Sequence, residues 1–354
     1  MTLGLRELNR ATLARQLLLR RSGLDVCAAL RQVGGLQAQT TQSWYVGLWS
    51  RLHDYSPGDT SRLLADGEIV RMALMRSTIH LVTADDARWL RPLVEPVIVR
   101  STMGAFGRVI RDIDREELTT LSRTALADHP LTFTELGRQL ARRWPGRDPA
   151  ALGQAARAWL PLVQSPPRGL WNRSGKAAHH VLPGELANAP VDDLVLRYLG
   201  AFGPATVLDC RQWSGLTRLS EVFDRLPLRR FHDEAGRRLY DLPDAPRPDP
   251  ETPAPVRFLY DFDNLLLSHA DRRRVLGGAD YATQGFGGGS MEQPRSVLVD
   301  GFVTATWREH RGHLTVRPFR RLTSQEKTDI ETEGAALLAF LAPQAAPRID
   351  VLSG

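Results

Sequence analysis

The chain has 354 residues, of which 46 are basic and 40 are acidic, so its formal net charge is +6. Arginine supplies 44 of the basic residues, and Lys176 and Lys327 are the only lysines. Because an arginine guanidinium stays protonated in proteins, a reaction that needs a nucleophilic lysine has only these two candidates. The small basic excess favours a polyanionic partner.

Several classes of protein are excluded by composition. With 42% hydrophobic and 24% charged residues, the chain can bury an ordinary core, and its length predicts two or three domains. No apolar run approaches the ~18 residues of a membrane span, and residues 1–20 resemble an amphipathic helix more than a signal peptide. Cys27 and Cys210 are too few for a disulfide framework or a zinc site. We therefore expect a cytoplasmic protein without a metal or another cofactor.

The first segment predicts helices followed by a two-stranded ribbon, the order of elements in a winged helix. Asp25 is a candidate N-cap, and Gly34-Gly35 ends the helix that Asp25 begins. The predicted helices cover 8–20, 25–33, 41–52 and 60–65, and the predicted strands cover 69–75 and 77–82.

The same order recurs twice. Residues 131–175 predict two helices and a hairpin that turns near Pro167–Gly169. Residues 191–242 predict three helices and a hairpin that turns near Glu234–Gly236, with a helix-turn-helix signal at 202–216. This recurrence predicts three tandem winged-helix units, which we place at 1–90, 91–185 (with connecting helices) and 186–242.

The last third of the chain predicts mainly strands. A proline-rich linker covers 243–255. The strands predicted after it cover 256–260, 264–268, 296–299, 302–307 and 314–319, with a flexible glycine loop at Gly285–Ser290. A capping signal from Thr323 to Glu326 opens a final helix to about 341. We therefore predict an α+β chain in which three winged-helix units in an open arc precede a β-rich, barrel-like region at 256–354.

Most catalytic signatures are absent, including the P-loop, the dinucleotide fingerprint, the nucleophile elbow and the zinc-protease motif. His179-His180 is a poor metal pair because neighbouring side chains point in different directions. The acidic pairs Asp85-Asp86, Glu116-Glu117 and Asp192-Asp193 are typical of the first turns of helices.

The remaining candidate is Gln37-Ala38-Gln39, directly after the Gly34-Gly35 break. In extended backbone, residues i and i+2 point to the same side, so the two amides would converge on one point. The alternative is a loop whose glutamines satisfy nearby backbone groups.

Four blocks together resemble the AlkZ-type DNA glycosylases of the winged-helix superfamily, over essentially the whole chain. The blocks are Gly35–Gln39, Trp44–Trp49, Arg76–Val82 and Phe262–Arg272. In that family the catalytic signature is Gln, an apolar residue, then Gln or Asp. Gln39 is typical of the Gln branch, which removes interstrand crosslinks made by azinomycin-type antibiotics and so confers self-resistance; the Asp branch has broader alkylpurine activity.

The resemblance implies a DNA glycosylase that hydrolyses the N-glycosidic bond of N7-alkylated purines, including bulky adducts and crosslinks. Gln37 and Gln39 would be catalytic, and double-stranded DNA carrying alkylated purines would be the partner. Neither lysine neighbours the motif in sequence, so we expect monofunctional hydrolysis that leaves an abasic site. We further expect a monomer that acts at the bacterial nucleoid.

DNA contacts are predicted at two places and at one family block. Arg71, Arg76 and His80 lie on the first predicted wing, where Arg71 could equally be a solvated strand residue. The hairpin at 302–319 has a basic tip, and in the family a hairpin of this kind is thought to enter the minor groove; an ordinary exposed turn is the alternative. The tip candidates are Arg308, His310, Arg311 and His313. His269 and Arg272 match the family block, where Asp271 could simply pair with an arginine.

Two other functions fit the same elements. A winged-helix transcription regulator would bind DNA without chemistry, and an inert lesion sensor would bind damaged DNA without releasing a base. Release of N7-methylguanine from DNA separates both from a glycosylase.

Overall fold

The computed structural model describes residues 1–278 and 294–352. The predicted loop at Gly285–Ser290 lies outside the described residues. The helices are α1 Leu5–Arg15, α2 Val26–Val33, α3 Trp44–Trp49, α4 Pro57–Ala65, α5 Ala84–Ile110, α6 Arg115–Ala125, α7 Phe133–Leu140, α8 Pro149–Trp159, α9 Val191–Phe202, α10 Val207–Ser214, α11 Ser220–Arg225, α12 Arg273–Leu276 and α13 Ser324–Leu341. Short 3₁₀ turns cover Met75–Ser77 and Asn264–Leu266. Neither described part contains a helix long and apolar enough to cross a membrane.

The strands form three sheets. They are β1 Thr2–Leu3, β2 Leu36–Gln37, β3 Ile69–Ala73, β4 Ile79–Thr83, β5 Leu131–Thr132, β6 Leu162–Gln164, β7 Ala178–Val181, β8 Arg229–Asp233, β9 Arg238–Asp241, β10 Arg257–Phe258, β11 Arg295–Val299, β12 Phe302–His310, β13 His313–Pro318 and β14 Arg348–Val351. Their orders are β2-β4-β3-β6-β7-β5, β1-β8-β9 and β10-β11-β12-β13-β14.

Local capping explains why several helices begin where the sequence predicts. Asp25 accepts a hydrogen bond from the Ala28 amide at the start of α2, and Gly34 ends that helix in a left-handed conformation. Thr323 and Glu326 form the expected capping box of α13. The three acidic pairs lie in the first turns of α5, α6 and α9, as predicted.

The six-stranded sheet joins the first two predicted units. β3 of the first segment pairs with β6 of the second, where Met72 faces Val163. The hairpin predicted to turn at Pro167–Gly169 is instead the wider pair β6–β7, with residues 165–177 between the strands. The 27-residue helix α5 follows β4 directly, although it contains Pro92 and Pro96.

The third segment has the predicted order of elements. α9, α10 and α11 precede the hairpin β8–β9, and the N-terminal β1 adds to β8 in parallel. The structure thus shows the helix-and-hairpin order, but sharing of strands between segments gives a mixed α+β fold rather than separate units.

The described strands of the C-terminal region form an open sheet and not a closed barrel. β10 to β13 are antiparallel, and β14 lies parallel to β13 at the edge. The strand predicted at 264–268 is wrong, because Asp263 caps a 3₁₀ turn there by accepting the Leu265 amide. Apolar residues of α2, α3 and β4 pack against this sheet and α13 in one core, so the two ends of the chain fold together.

Candidate active site

Gln37 is the last residue of β2 and is almost completely buried, with 4% of its surface exposed. The chain reaches β2 through Gly34 and Gly35, both at positive φ. A Cβ at Gly35 would lie 2.7 Å from Cγ1 of Val82, so a larger residue would collide with β4. Gln37 pairs with His80 of β4, which fixes its register and face.

The side-chain amide of Gln37 is held by Arg76. Nη2 of Arg76 donates to Oε1 of Gln37 at 2.6 Å and to Oδ1 of Asn264 at 3.1 Å, while Nη1 donates to the Trp213 carbonyl at 2.7 Å. Burial lowers the pKa of Arg76 to about 10, so the guanidinium stays charged near neutral pH. Arg76 lies in the Met75–Ser77 turn between β3 and β4, not on a strand.

Gln39 lies just beyond β2, and its side chain is exposed. Its Oε1 accepts a hydrogen bond from the Ile79 amide at 3.3 Å. The backbone between the two glutamines is also paired, since the Ala38 amide donates to the Ile79 carbonyl at 2.7 Å. The structure therefore places a buried and an exposed amide two residues apart on one strand end.

Residues of the C-terminal region hold this segment from the other side. Nδ2 of the fully buried Asn264 donates to the Gly35 carbonyl at 3.0 Å. Oγ1 of Thr40 donates to Asp261 at 2.5 Å, and the Ser43 hydroxyl donates to the same carboxylate. Asn264 lies inside the sequence block 262–272, but the residues singled out from that block in the sequence are His269, Asp271 and Arg272. Asp261, one residue before the block, carried no signal of its own.

Three of the predicted DNA contacts are buried, and the structure corrects them. Arg71 is 1% exposed and donates through Nη2 to the Ala38 carbonyl at 2.7 Å, inside the glutamine motif. His80 has a ring nitrogen 3.1 Å from the Thr78 carbonyl, and His269 has one 3.0 Å from the Phe202 carbonyl. Burial lowers the pKa of both histidines to about 3, so their rings are neutral. These three side chains support the interior and do not face DNA.

Arg272 is partly exposed and lies near enough to Arg76 for their charges to repel. Asp271 forms ion pairs with Arg273 at 2.7 Å and with Arg237 at 2.6 Å, which confirms the expected pairing with a neighbouring arginine. These arginines hold the pKa of Asp271 below its usual range.

The late hairpin is present as β12–β13, closed by the pair His310–His313. Arg311 and Gly312 form its two-residue turn at positive φ. Arg308, His310 and Arg311 are exposed, whereas a ring nitrogen of His313 lies 2.8 Å from Asp350. The C-terminal strand flanks the tip, since the Arg348 amide donates to the Gly312 carbonyl. Contact of this tip with DNA stays a prediction.

The described residues contain no cluster of three or more His, Cys, Asp or Glu that could hold a metal ion. His179 stacks on Phe133 with ring centroids 4.0 Å apart, and His180 lies 2.7 Å from the Ser165 hydroxyl. The two rings thus have separate neighbours.

Comparison with known proteins decides the family. A family model described as DNA glycosylase AlkZ-like matches residues 30–340. The chain belongs to the AlkZ-like DNA glycosylase family. That match includes the glutamine motif, Arg76 and Asn264, and the prediction of a DNA glycosylase is confirmed.

A solved structure supports the AlkZ-like fold over the full length. The Streptomyces sahachiroi DNA glycosylase AlkZ matches with a TM-score of 0.81 at 20% identity, covering 99% of this chain and 100% of that one. No curated protein matches the sequence. At this identity the structural likeness shows the fold alone.

Proposed function

We propose that the protein hydrolyses the N-glycosidic bond of N7-alkylated purines in double-stranded DNA, including bulky adducts and interstrand crosslinks. It leaves abasic sites and serves self-resistance to azinomycin-type alkylating antibiotics. It acts as a monomer at the bacterial nucleoid. The observation that carries the proposal is the pair of neutral amides, Gln37 and Gln39, at one strand end in an AlkZ-like chain.

Neutral amides suit a substrate that is already charged. Departure of an ordinary purine needs a proton on the base and a carboxylate near the cationic sugar. Alkylation at N7 places positive charge on the purine beforehand, so the base leaves without an acid. A glutamine carbonyl is no base near pH 7, but it orients water and presents a negative dipole to the sugar. Two amides therefore favour labile, cationic lesions over undamaged bases.

Exposure of Gln39 supports activity on bulky lesions. An interstrand crosslink ties the damaged base to the other strand, so the base cannot be extruded into a closed pocket without its partner. A catalytic amide at the surface meets such a lesion without full extrusion, and the side chain of Gln39 is exposed.

The experiment measures base release from duplexes that carry N7-methylguanine or a defined N7 interstrand crosslink. We expect free base, alkali-labile sites and unhooked strands, with undamaged duplex unchanged. Binding without release would favour the lesion sensor, and sequence-specific binding of undamaged DNA would favour the regulator.

Strand cleavage is tested separately. Lys176 lies 3.5 Å from Glu135 and Lys327 lies 3.8 Å from Glu331, so both lysines are in surface ion pairs. We expect borohydride to trap no covalent adduct with DNA, since water is the nucleophile. A trapped adduct would contradict monofunctional hydrolysis.

A further inference from the structure

We propose that Arg76 is a positioning residue that fixes the Gln37 amide so that Gln37 presents its nitrogen, a hydrogen-bond donor, to the substrate. This inference rests on the proposed function. It replaces the prediction that Arg76 contacts DNA.

The orientation of the Gln37 amide follows from the chemistry of its partner. A guanidinium carries donors and no acceptor, so only Oε1 of Gln37 can face Arg76 at 2.6 Å. The amide nitrogen then points away from the guanidinium. Gln37 Nε2 donates to no described residue, and the described residues give the Gln37 side chain no hydrogen bond besides the one from Arg76. Although Gln37 is only 4% exposed, its Nε2 is not fully enclosed by described residues, so a ligand or water can reach this donor and accept its hydrogen bond.

Arg76 is itself held at three points from distant parts of the chain. Its guanidinium joins Gln37 of β2, the Trp213 carbonyl of α10 and Asn264 of the C-terminal region. Asn264 also donates to the Gly35 carbonyl, so both ends of the segment 35–37 are fixed by one network. Such a network leaves the Gln37 amide little freedom to rotate.

The backbone conformation of Arg76 also supports its role as a positioning residue. Its φ is 55°, a left-handed conformation that is unfavourable for a residue with a Cβ. The turn is closed by the Ser77 amide on the Leu74 carbonyl and by the Leu74 amide on the Thr78 carbonyl. A strained residue that places a partly buried charge beside the amide of Gln37 is typical of a functional site.

The two glutamines then have different roles, and of their two carbonyls only that of Gln39 remains to orient water and face the sugar. The charge on Arg76 polarises the Gln37 carbonyl and strengthens its N–H groups as donors. Oε1 of the exposed residue Gln39, bonded at 3.3 Å to one amide, keeps a lone pair for the attacking water. Gln37 thus donates to an acceptor atom of the damaged nucleotide, and Gln39 accepts from water.

Four variants and one matched control test this inference in single-turnover base release. Arg76→Met should slow release by at least about tenfold, while Kd for lesion DNA changes less than twofold. Arg76→Lys should restore part of the rate, because an ammonium still donates to Gln37. Gln37→Glu should keep an ion pair with Arg76 but lose the donor, and should release base as slowly as Gln37→Ala.

Arg157→Met is the control, because Arg157 is a second arginine that contacts the same turn, from α8. Its Nη2 donates to the Ser77 carbonyl at 2.5 Å, and none of its hydrogen bonds reaches Gln37. We expect a near wild-type rate. Equal loss in Arg157→Met and Arg76→Met, full activity of Gln37→Glu, or an Arg76→Met defect confined to Kd would each overturn the inference. A wild-type protein that releases no base would instead refute the proposed function.

Discussion

Arg51 and Asp263, which lie 212 positions apart in the sequence, form a two-pronged ion pair inside the protein. Nη1 and Nη2 of Arg51 lie 2.9 Å and 2.8 Å from the two carboxylate oxygens, and both side chains are fully buried. Arg51 follows α3, and Asp263 caps the turn that carries Asn264. The ion pair therefore links the C-terminal region to the end of α3, the helix that follows the glutamine segment.

Removing one partner of this pair should be costly. In Asp263→Ala the Arg51 charge stays buried without a counter-charge, so we expect the free energy of unfolding to fall by about 3–5 kcal/mol. Urea denaturation followed by circular dichroism measures it. Arg225→Ala removes an exposed partner of Asp192 and is the control, with stability expected near that of wild type. Equal stability of the two variants would show that the buried pair contributes little.

Substitution of either glutamine should slow catalysis, but only substitution of Gln37 should also affect stability. We expect Gln37→Ala and Gln39→Ala each to slow base release at least about tenfold, or ~1.4 kcal/mol of barrier. Gln39 is exposed, so its variant should keep the wild-type melting temperature, whereas loss of the buried Gln37 leaves Arg76 with one partner fewer. Exposed Gln32→Ala serves as the control. Wild-type rates in both variants would remove these residues from the mechanism.

Stability should fall in mild acid because three histidines, His80, His179 and His269, are buried in the neutral form. The pKa of His80 and of His269 is lowered to about 3 by burial, against ~6.5 in the unfolded chain. The unfolded state therefore binds more protons below pH ~6.5, and each histidine removes up to ~1.4 kcal/mol of stability per pH unit between there and its folded pKa. Denaturation midpoints at pH 7.5, 6.5 and 5.5 measure this slope. His269→Gln should flatten it, while the same change at exposed His232 serves as the control; an unchanged slope in His269→Gln would contradict the account.

The hairpin tip should contribute to DNA affinity rather than to chemistry. Arg308 and Arg311 are exposed and form no ion pair with any described residue. Replacing both by Ala should weaken duplex binding and reduce the slope of log K against log salt by about 2, since each phosphate contact contributes ~0.9. The rate at saturating enzyme should stay unchanged. Arg123→Ala, at an exposed position of α6, is the control, and an unaltered salt slope in the double variant would place the groove contact elsewhere.

Features that depend on residues close together in the sequence, such as helix caps and hairpins, are predicted well. Asp25 and Thr323 cap helices because a cap needs only residues three positions away. The hairpins β3–β4, β8–β9 and β12–β13 lie close to their predicted positions, because β-branched and apolar residues mark their strands. The predicted strand at 264–268 is a 3₁₀ turn at Asn264–Leu266, because the periodicity of so short an apolar run does not distinguish a strand from a turn.

The site was predictable only in part, because burial and long-range pairing decide what a side chain does. The glutamine motif could be found from its spacing after Gly34-Gly35. Arg71 and His80 could not be recognised as internal supports, since chain order does not tell which face of a strand is covered. The bonds from Arg76 to Gln37 and Asn264 join residues 39 and 188 positions apart, beyond the reach of any local pattern.

The long sequence separation between the glutamine segment and its partners affects when this segment can fold during synthesis. The glutamine segment donates a hydrogen bond to Asp261 through Thr40 and accepts one from Asn264 at Gly35, and the core beside it includes α13. Because a ribosome delivers the N-terminus first, the segment 35–40 emerges long before its supports exist. A nascent chain that stops in the linker 243–255 thus carries both glutamines but lacks the residues that order them. The strand end that carries the two glutamines can therefore reach its folded arrangement only after residues 261–264 have been synthesised.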